Sequence, residues 1–269
     1  MTFAIPYLRT FLTGIQNTFV YRWNFLLRTI FGIVPLVGMI FLWRAVTEGG
    51  GGKLGDYGFS DMIFYFALVV FIENLTSSTE DDWQIAADIR DGRLSALMLK
   101  PINYLAYRAA LYLSYRITYI AVVGLPIVLV VWLLREHLRL PANATTWFVF
   151  ILSTTMAAGL QFLMAYILGL VAFWVLEVST LIFIVYSFEY FLSGTIFPLD
   201  ILPGWLQPFV KWSPFTYEMF FPVQVAMERI QGRAMWEGLA IQAGWLVVFY
   251  FVAGVVWRAG VRKYQAVGG

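Results

Sequence analysis

Few residues in this sequence could carry out chemistry by themselves. The 269 residues include no cysteine and one histidine, His137, which excludes thiolate zinc sites, iron–sulfur clusters and Cys/His catalysis. A glycine-rich run, 48–56, contains Gly52-Lys53, but Thr47 and Leu54 stand where a phosphate-binding loop needs glycine and a hydroxyl residue. We interpret the run as a flexible surface turn. The sequence therefore predicts no catalytic residue, metal site or cofactor in this chain.

Glu189 is the charged residue that is hardest to explain by position alone, because it lies within a long apolar stretch. On a helix it shares a face with Tyr186 and Ser193. It could line a path for a transported molecule, or it could bond to a neighbouring helix and stabilise the bundle. Both interpretations remain open, and Glu73 is a further polar candidate. The predicted path residues are Tyr186, Glu189, Ser193 and Gln161.

The most polar stretch, 79–103, combines apolar and charged side chains around Gly92. It is predicted to be a short helix, a turn at the glycine and a second amphipathic stretch that ends before Pro101. Such a mixed surface suits docking onto a soluble partner, although a solvated connection would have a similar composition. The predicted docking residues are Asp88, Ile89, Arg90, Asp91, Gly92, Arg93, Leu94 and Leu97.

The overall composition indicates a membrane protein. Hydrophobic residues make up 61% of the chain and charged residues only 13%, far from the roughly 25% charged residues of soluble domains. Eighteen Lys plus Arg oppose sixteen Asp plus Glu, for a net charge of +2. This balance excludes the clustered basic surface that nucleic-acid binding requires.

Continuous apolar runs predict an all-α fold with six transmembrane helices, since a spanning helix needs about 20 mainly apolar residues. The runs are too long and too uniform for barrel strands, which alternate over about 10 residues. The predicted spans are approximately 29–46, 59–78, 104–134, 146–175, 178–197 and 236–258.

Two further segments are predicted to stay at the membrane without crossing it. Residues 1–28 carry apolar side chains at spacings of three and four, which is typical of an amphipathic helix lying on the membrane surface. Residues 198–234 are apolar but rich in proline, which favours a broken re-entrant hairpin between the fifth and sixth helices. Asp200 is predicted to cap a short helix that has Pro203 in its first turn.

Six spans place both termini on one side of the membrane. If that side is the cytoplasm, ten basic residues lie inside and seven outside. This difference agrees with the positive-inside rule, but only modestly.

Three groups of residues resemble the membrane subunits of ATP-binding-cassette (ABC) transporters of the second, exporter-like permease type. The first is Tyr21–Phe25, which closes the N-terminal amphipathic helix. The second is Asp88–Leu94 together with the Leu-Lys-Pro at 99–101. The third begins at Leu192–Leu199 and continues with Leu-Pro-Gly-Trp-Leu at 202–206 and Ser-Pro-Phe at 213–215. Their order and spacing cover nearly the whole chain, 1–269, as one transmembrane domain.

The resemblance implies a permease that works as a dimer, either with a second copy or with a sister chain, bound to two cytoplasmic ATPase subunits. ATP and Mg²⁺ would be held by those subunits. The segment 79–103 would contain the coupling helix, and 198–234 would lie outside the cytoplasm. The chain would reside in the inner (cytoplasmic) membrane with both termini in the cytoplasm, and would export amphiphiles such as drugs, lipid-linked glycans or polysaccharides.

Other classes of protein are compatible with parts of this pattern. The alternatives are a secondary transporter driven by an ion gradient, a membrane-embedded enzyme and a passive scaffold. No cluster of His, Asp and Glu within the predicted spans indicates an active site. No pair of matching interrupted spans indicates the inverted repeat that many secondary transporters have.

Overall fold

The computed structural model describes residues 5–20, 23, 27, 34, 37–46, 53–78, 81–133, 135–136 and 138–264. These residues are mostly helical, and the strands found among them form one two-stranded antiparallel hairpin, β1 (Lys53–Leu54) with β2 (Tyr57–Gly58). The all-α prediction is confirmed for this part of the chain. The helices are α1 Ile5–Val20, α2 Val37–Val46, α3 Phe59–Thr76, α4 Asp81–Arg90, α5 Arg93–Met98, α6 Tyr104–Leu133, α7 Ala144–Leu170, α8 Ser179–Leu192, α9 Gln207–Trp212, α10 Phe220–Ala226 and α11 Gly232–Lys263.

Three stretches within the described residues are long and apolar enough to cross a membrane. They are Phe59–Arg90, which combines α3 and α4, Ala144–Phe173 and Gly232–Lys263. They correspond to the second, fourth and sixth predicted spans. Helix α6 has 30 residues and occupies the third. Most of the first predicted span before residue 37, and parts of the N-terminal segment 1–28, lie outside the described residues.

The helix in the fifth predicted span is shorter than hydropathy suggested. Helix α8 has 14 residues, or about 21 Å at 1.5 Å per residue, whereas the hydrocarbon layer is about 30 Å thick. It ends at Leu192 because the backbone turns at Gly194, whose φ of +89° lies in the left-handed region. The apolar residues that follow, up to 197, do not extend the helix.

The long helices run in alternating directions between two polar ends of the molecule. One end carries the β1–β2 hairpin, and we name it the hairpin end. There, the Gln224 amide donates to the Tyr57 hydroxyl at 2.5 Å. At the other end, the hydroxyls of Ser95 and Tyr264 are 3.0 Å apart. Helices α3 and α11 therefore both run away from the hairpin end, and α6 returns towards it.

Helix α7 is the centre of the bundle. Of its apolar window, 72% is buried inside the chain, against 17% for α11. One hydrophobic cluster packs around α7 with α3, α10 and α11, and a second packs with α4, α6 and α11. The α4–α7 contact depends on Gly169, where an added Cβ would lie 2.7 Å from the Ile85 Cβ and 2.8 Å from the Asp82 carbonyl oxygen. The low burial of α11 leaves its apolar side for lipid or for another subunit.

Helix α1 lies along the first half of α6. The Asn103 N–H donates to the Tyr7 hydroxyl oxygen at 2.8 Å, just before α6 begins. The side chains of Ile5, Leu8 and Leu12 are 45%, 57% and 50% exposed. The amphipathic helix is confirmed within 5–20, and its position on the membrane surface remains a prediction.

The proline-rich segment is broken into short helices, as its sequence predicted. Side chains, instead of a continuous helix, satisfy its backbone carbonyls and that of Gly194 just before it. The Tyr65 hydroxyl donates to the Gly194 carbonyl at 2.5 Å, and the Thr216 hydroxyl donates to the Val210 carbonyl at 2.6 Å. The Gln242 amide from α11 donates to the Tyr217 carbonyl at 2.8 Å. Non-helical backbone with this internal satisfaction is the kind that membrane proteins tolerate within the hydrocarbon layer.

The predicted capping role of Asp200 is wrong. Asp200 lies in a single 3₁₀ turn, Leu199–Ile201, and the next helix begins only at Gln207. Its carboxylate instead accepts a hydrogen bond of 2.8 Å from the Tyr57 hydroxyl. Long-range pairing with the β hairpin has replaced the local capping interaction.

Candidate functional site

Residues 81–100, which we name the elbow, form a helix, a turn and a second helix. Helix α4 ends at Arg90, Gly92 has a φ of +75°, and α5 covers Arg93–Met98. The left-handed backbone at this position favours glycine because a Cβ would be strained there. The predicted turn at Gly92 and the stop before Pro101 are confirmed.

The predicted docking residues separate into an inward and an outward group. Asp88, Ile89 and Leu94 are 8%, 4% and 0% exposed, so they pack against the rest of this chain. The exposed side chains are Asp91 and Arg93. Arg90, Gly92 and Leu97 are partly buried. The structure therefore brings the eight residues together but turns only some of them outwards.

The predicted docking residues leave out the most exposed part of the elbow. Leu99 is 89% exposed and Met98 is 45% exposed. Leu99 was noted only as part of the Leu-Lys-Pro resemblance. The sequence does indicate this exposed surface. A Leu-Met-Leu run stands directly before Lys100, in a segment between two predicted spans where neither span could bury it.

The base of the elbow is fixed to α6 by a buried arginine. Arg108, 3% exposed, contacts Asp81 at 3.0 Å and Asp88 at 3.7 Å. Its guanidinium also donates to the Gln84 side-chain oxygen at 3.2 Å. The Tyr104 hydroxyl donates to Asp88 at 2.9 Å. Asp88 also contacts the exposed Arg93 at 3.5 Å. Because a buried cation joins two poorly exposed carboxylates, the orientation of α4 on α6 is specific and costly to change.

A second set of contacts joins the end of α3 to α6. The Arg116 guanidinium donates to the Asn74 carbonyl and to the Ser77 hydroxyl, both at 3.1 Å. The Tyr112 hydroxyl donates to the Thr76 carbonyl at 2.6 Å. Helices α3, α4 and α6 therefore form one connected unit that reaches from the elbow into the body of the bundle.

An open cavity of about 280 Å³ lies between α3, α4, α7, α8 and the proline-rich segment 198–234, which we name the hairpin segment. Its wall carries the carboxylates of Glu73, Asp82 and Glu189. No Lys, Arg or His lines it among the residues described here. A carboxylate at the centre of a membrane helix costs roughly 2.5–3.5 kcal/mol to insert, so such groups normally face a cavity or a partner and not lipid.

Three of the four predicted path residues lie on this cavity. Tyr186, Glu189 and Gln161 line it, so the polar face of α8 points into the bundle. Ser193 does not line the cavity; it is 2% exposed, and its hydroxyl lies 2.8 Å from that of Thr195.

The sequence analysis also missed Glu218, a carboxylate behind the cavity. Glu218 is 0% exposed. Its carboxyl group lies beside that of Glu189, close enough for the two groups to share a hydrogen bond. The sequence could have indicated this residue, because Glu218 is an acidic residue within an apolar, proline-rich segment. In the described part of the chain, no group of three His, Cys, Asp or Glu side chains could hold a metal ion.

Comparison with known proteins identifies the family. The family described as ABC-2 family transporter protein matches residues 33–268. No curated protein sequence is similar enough to this chain to count as a match. The matched region contains the elbow, the cavity and the hairpin segment, and all of α1 lies before it. The chain therefore belongs to the ABC-2 transporter family and is a transmembrane permease subunit of an ABC transporter.

Proposed function

We propose that this chain is the membrane subunit of an ATP-driven exporter of amphiphilic molecules, and that cytoplasmic ATPase subunits dock on its elbow. The observation that carries the proposal is Leu99, which is 89% exposed beside Met98 at the tip of the elbow. An exposed leucine next to charged side chains is typical of a surface that a protein partner covers. Family membership supports an ABC ATPase as that partner.

The docking surface that we propose differs from the predicted one. Its contacts come from Asp91, Arg93, Met98, Leu99 and Lys100, which are all exposed. The buried residues of the elbow hold this surface in place instead of touching the partner. This division resembles an interface in which apolar groups supply contact area and charges fix the register.

Helix α4 would carry movement from the docking surface to the cavity. It has 10 residues and is therefore about 15 Å long. Asp82 and Trp83 at its start line the cavity, and the docking surface follows its end. Because α4 is fixed to α6 through Arg108, a displacement of the elbow would move a wall of the cavity together with α6.

The complete transporter would contain two such transmembrane subunits, either identical or paired with a sister chain, and two ATPases that hold ATP and Mg²⁺. The membrane is the inner membrane, with both termini in the cytoplasm. The short α8 and the internally satisfied hairpin segment support a re-entrant structure on the opposite side. That segment would close the cavity towards the outside.

A matched pair of leucine variants tests the docking surface. We expect Leu99→Asp to abolish co-purification of the ATPase and to lower ATP-dependent transport by at least about tenfold, which corresponds to about 1.4 kcal/mol. Leu140→Asp is the control, because Leu140 is also exposed, at 62%, but lies after α6, away from the elbow. Thermal unfolding of both variants in detergent should match the wild type. An ATPase that still binds the Leu99→Asp variant would contradict the proposal.

Transport by the protein reconstituted into lipid vesicles distinguishes the exporter from a secondary transporter and from a membrane-embedded enzyme. A secondary transporter would move its substrate without ATP and would stop when an ionophore collapses the ion gradient. An exporter of the proposed type would require ATP and would continue in the presence of the ionophore. Chemical conversion of the substrate without transport would favour a membrane-embedded enzyme.

A further inference from the structure

The ionisable groups on the described wall of the cavity include carboxyl groups but no Lys, Arg or His side chain. Glu73, Asp82 and Glu189 come from three different helices and line the same space. The nearby arginines of α6 are committed elsewhere, since Arg108 bonds to Asp81 and Arg116 donates to the Asn74 carbonyl. A molecule that enters the cavity therefore meets acidic side chains without a competing positive side chain on the described wall.

Aromatic side chains lie on the same wall. Trp83, Tyr186 and Tyr190 line the cavity together with the carboxylates. Aromatic faces attract cations, and clusters of such rings recognise quaternary ammonium groups. Their apolar area would also contact the hydrophobic part of an amphiphile.

An unpartnered amide provides independent evidence that the cavity takes a ligand. Gln161 is 7% exposed, lines the cavity and makes no side-chain hydrogen bond to any described residue. Buried amides in folded proteins almost always have a partner. A bound polar group would satisfy this amide.

We infer that this cavity binds an organic cation with an apolar body, held between Glu73 and Glu189 and against the rings of Trp83 and Tyr190. As the cargo of the transporter, this class rests on the proposed function. The cation could be a free hydrophobic ammonium compound or the ammonium headgroup of a lipid, since both present the same chemistry to the wall.

Equilibrium dialysis with radiolabelled phenyltrimethylammonium tests the inference on the full chain with its ATPase in phosphatidylglycerol nanodiscs. We expect Glu73→Gln and Glu189→Gln each to weaken binding at least about tenfold, whereas Glu136→Gln, at an exposed position outside the cavity, should leave it unchanged. Benzenesulfonate, an anion of similar size, should not bind. Equal affinity in the wild type and both cavity variants, or equally tight binding of benzenesulfonate, would overturn the inference.

A substitution of Tyr190 provides a second test if a glutamine variant does not fold. Tyr190 is 49% exposed, so its replacement should be tolerated. We expect Tyr190→Leu to weaken binding of phenyltrimethylammonium and Tyr190→Phe to retain it, because the ring attracts the cation. If leucine and phenylalanine bind the probe equally well, the aromatic wall has no role and the inference fails.

Adding phosphatidylethanolamine to the nanodiscs distinguishes the two sources of the cation. Competition with phenyltrimethylammonium would identify the lipid headgroup as the occupant, and no competition would identify a free cation. Either result supports the cation site. Dialysis needs no ATP, so the cation site and the proposed function are tested separately. If the cavity variants bind the probe like the wild type while Leu99→Asp still loses the ATPase, the cation site is refuted and the proposed function stands.

Discussion

Arg108 is the residue whose role was hardest to read from the sequence. An arginine in the second turn of a predicted span is commonly an interfacial residue whose side chain reaches water. Instead it is 3% exposed and contacts two aspartates of α4. Asp88 was instead predicted to dock a soluble partner, and Asp81 was assigned no role. Hydrophobic periodicity describes one element at a time, so it cannot show that a distant helix supplies the buried partner.

Removal of this guanidinium should destabilise the protein strongly. We expect Arg108→Met to lower the free energy of unfolding by about 3–5 kcal/mol, because it leaves the poorly exposed Asp81 without its ion-pair partner and Asp88 with only the exposed Arg93. The measurement is denaturant unfolding of the purified protein in detergent. Arg258→Met is the control, since Arg258 lies on an exposed position of α11 and should change the stability little. Equal midpoints for the two variants would show that the Arg108 contacts do not stabilise the fold.

Tyr57 connects separate parts of the hairpin end through its hydroxyl. The group donates to Asp200 at 2.8 Å and accepts from the Gln224 amide at 2.5 Å, and the ring is 1% exposed. We expect Tyr57→Phe to cost about 1–3 kcal/mol, since it leaves a buried amide unpaired. Thermal unfolding would measure the loss. Tyr250→Phe, at a 58% exposed ring on α11, is the matched control and should be neutral.

The same hydroxyl predicts a dependence on alkaline pH. Burial raises the pKa of Tyr57 above its ordinary value. A group with a raised folded-state pKa contributes stability fully below its unfolded pKa, about 10 for tyrosine, and loses it as the pH rises towards the folded value. The wild type should therefore lose stability above about pH 10 to a greater extent than Tyr57→Phe. Unfolding midpoints of both proteins at pH 8 and pH 10.5 would test this, and parallel losses would contradict it.

At the scale of elements, local signals in the sequence were sufficient for the elbow. Gly92 predicted the turn and Pro101 predicted the stop, because both act through the backbone of neighbouring residues. The fifth span was overestimated for the opposite reason. Hydropathy counted the apolar residues up to 197, whereas Gly194 ends the helix sooner. The sequence could also not show that α4 packs closely against α7, since that contact depends on Gly169, far along the chain.

The close contact of α4 with α7 gives a prediction about helix packing. We expect Gly169→Ala to destabilise the protein by about 1–3 kcal/mol, as overpacking does, because the new Cβ would approach the backbone carbonyl of Asp82 at 2.8 Å. It should also weaken binding in the cavity, whose wall includes Asp82. Gly244→Ala is the control: nothing lies within 4 Å of a Cβ at that helical position. If both variants have the stability of the wild type, α4 can move away from α7 without cost.

The whole molecule places the elbow and the hairpin segment at opposite ends of the bundle. The proposed transmission of movement through α4 requires this arrangement, because ATPase subunits act from one side of the membrane and the hairpin segment would close the cavity on the other. Helix α7 is buried at the centre of the bundle, whereas α8 and α11 lie outside it and expose broad apolar surfaces. Phe183 and Phe251, for example, are 74% and 64% exposed. Lipid and a second permease are the two environments that such surfaces suit.

The absence of cysteine from the sequence allows this orientation to be tested directly, since each introduced thiol is the only one in the chain. Leu99 and Trp205 are suitable sites because they are 89% and 71% exposed. We expect a membrane-impermeant maleimide to label Leu99→Cys in inside-out vesicles and not in intact cells, and Trp205→Cys to show the reverse. Ala253→Cys, at a position 1% exposed, sets the background. Labelling of Leu99→Cys from outside would place the elbow where no cytoplasmic ATPase could reach it, and would refute the docking surface and the orientation together.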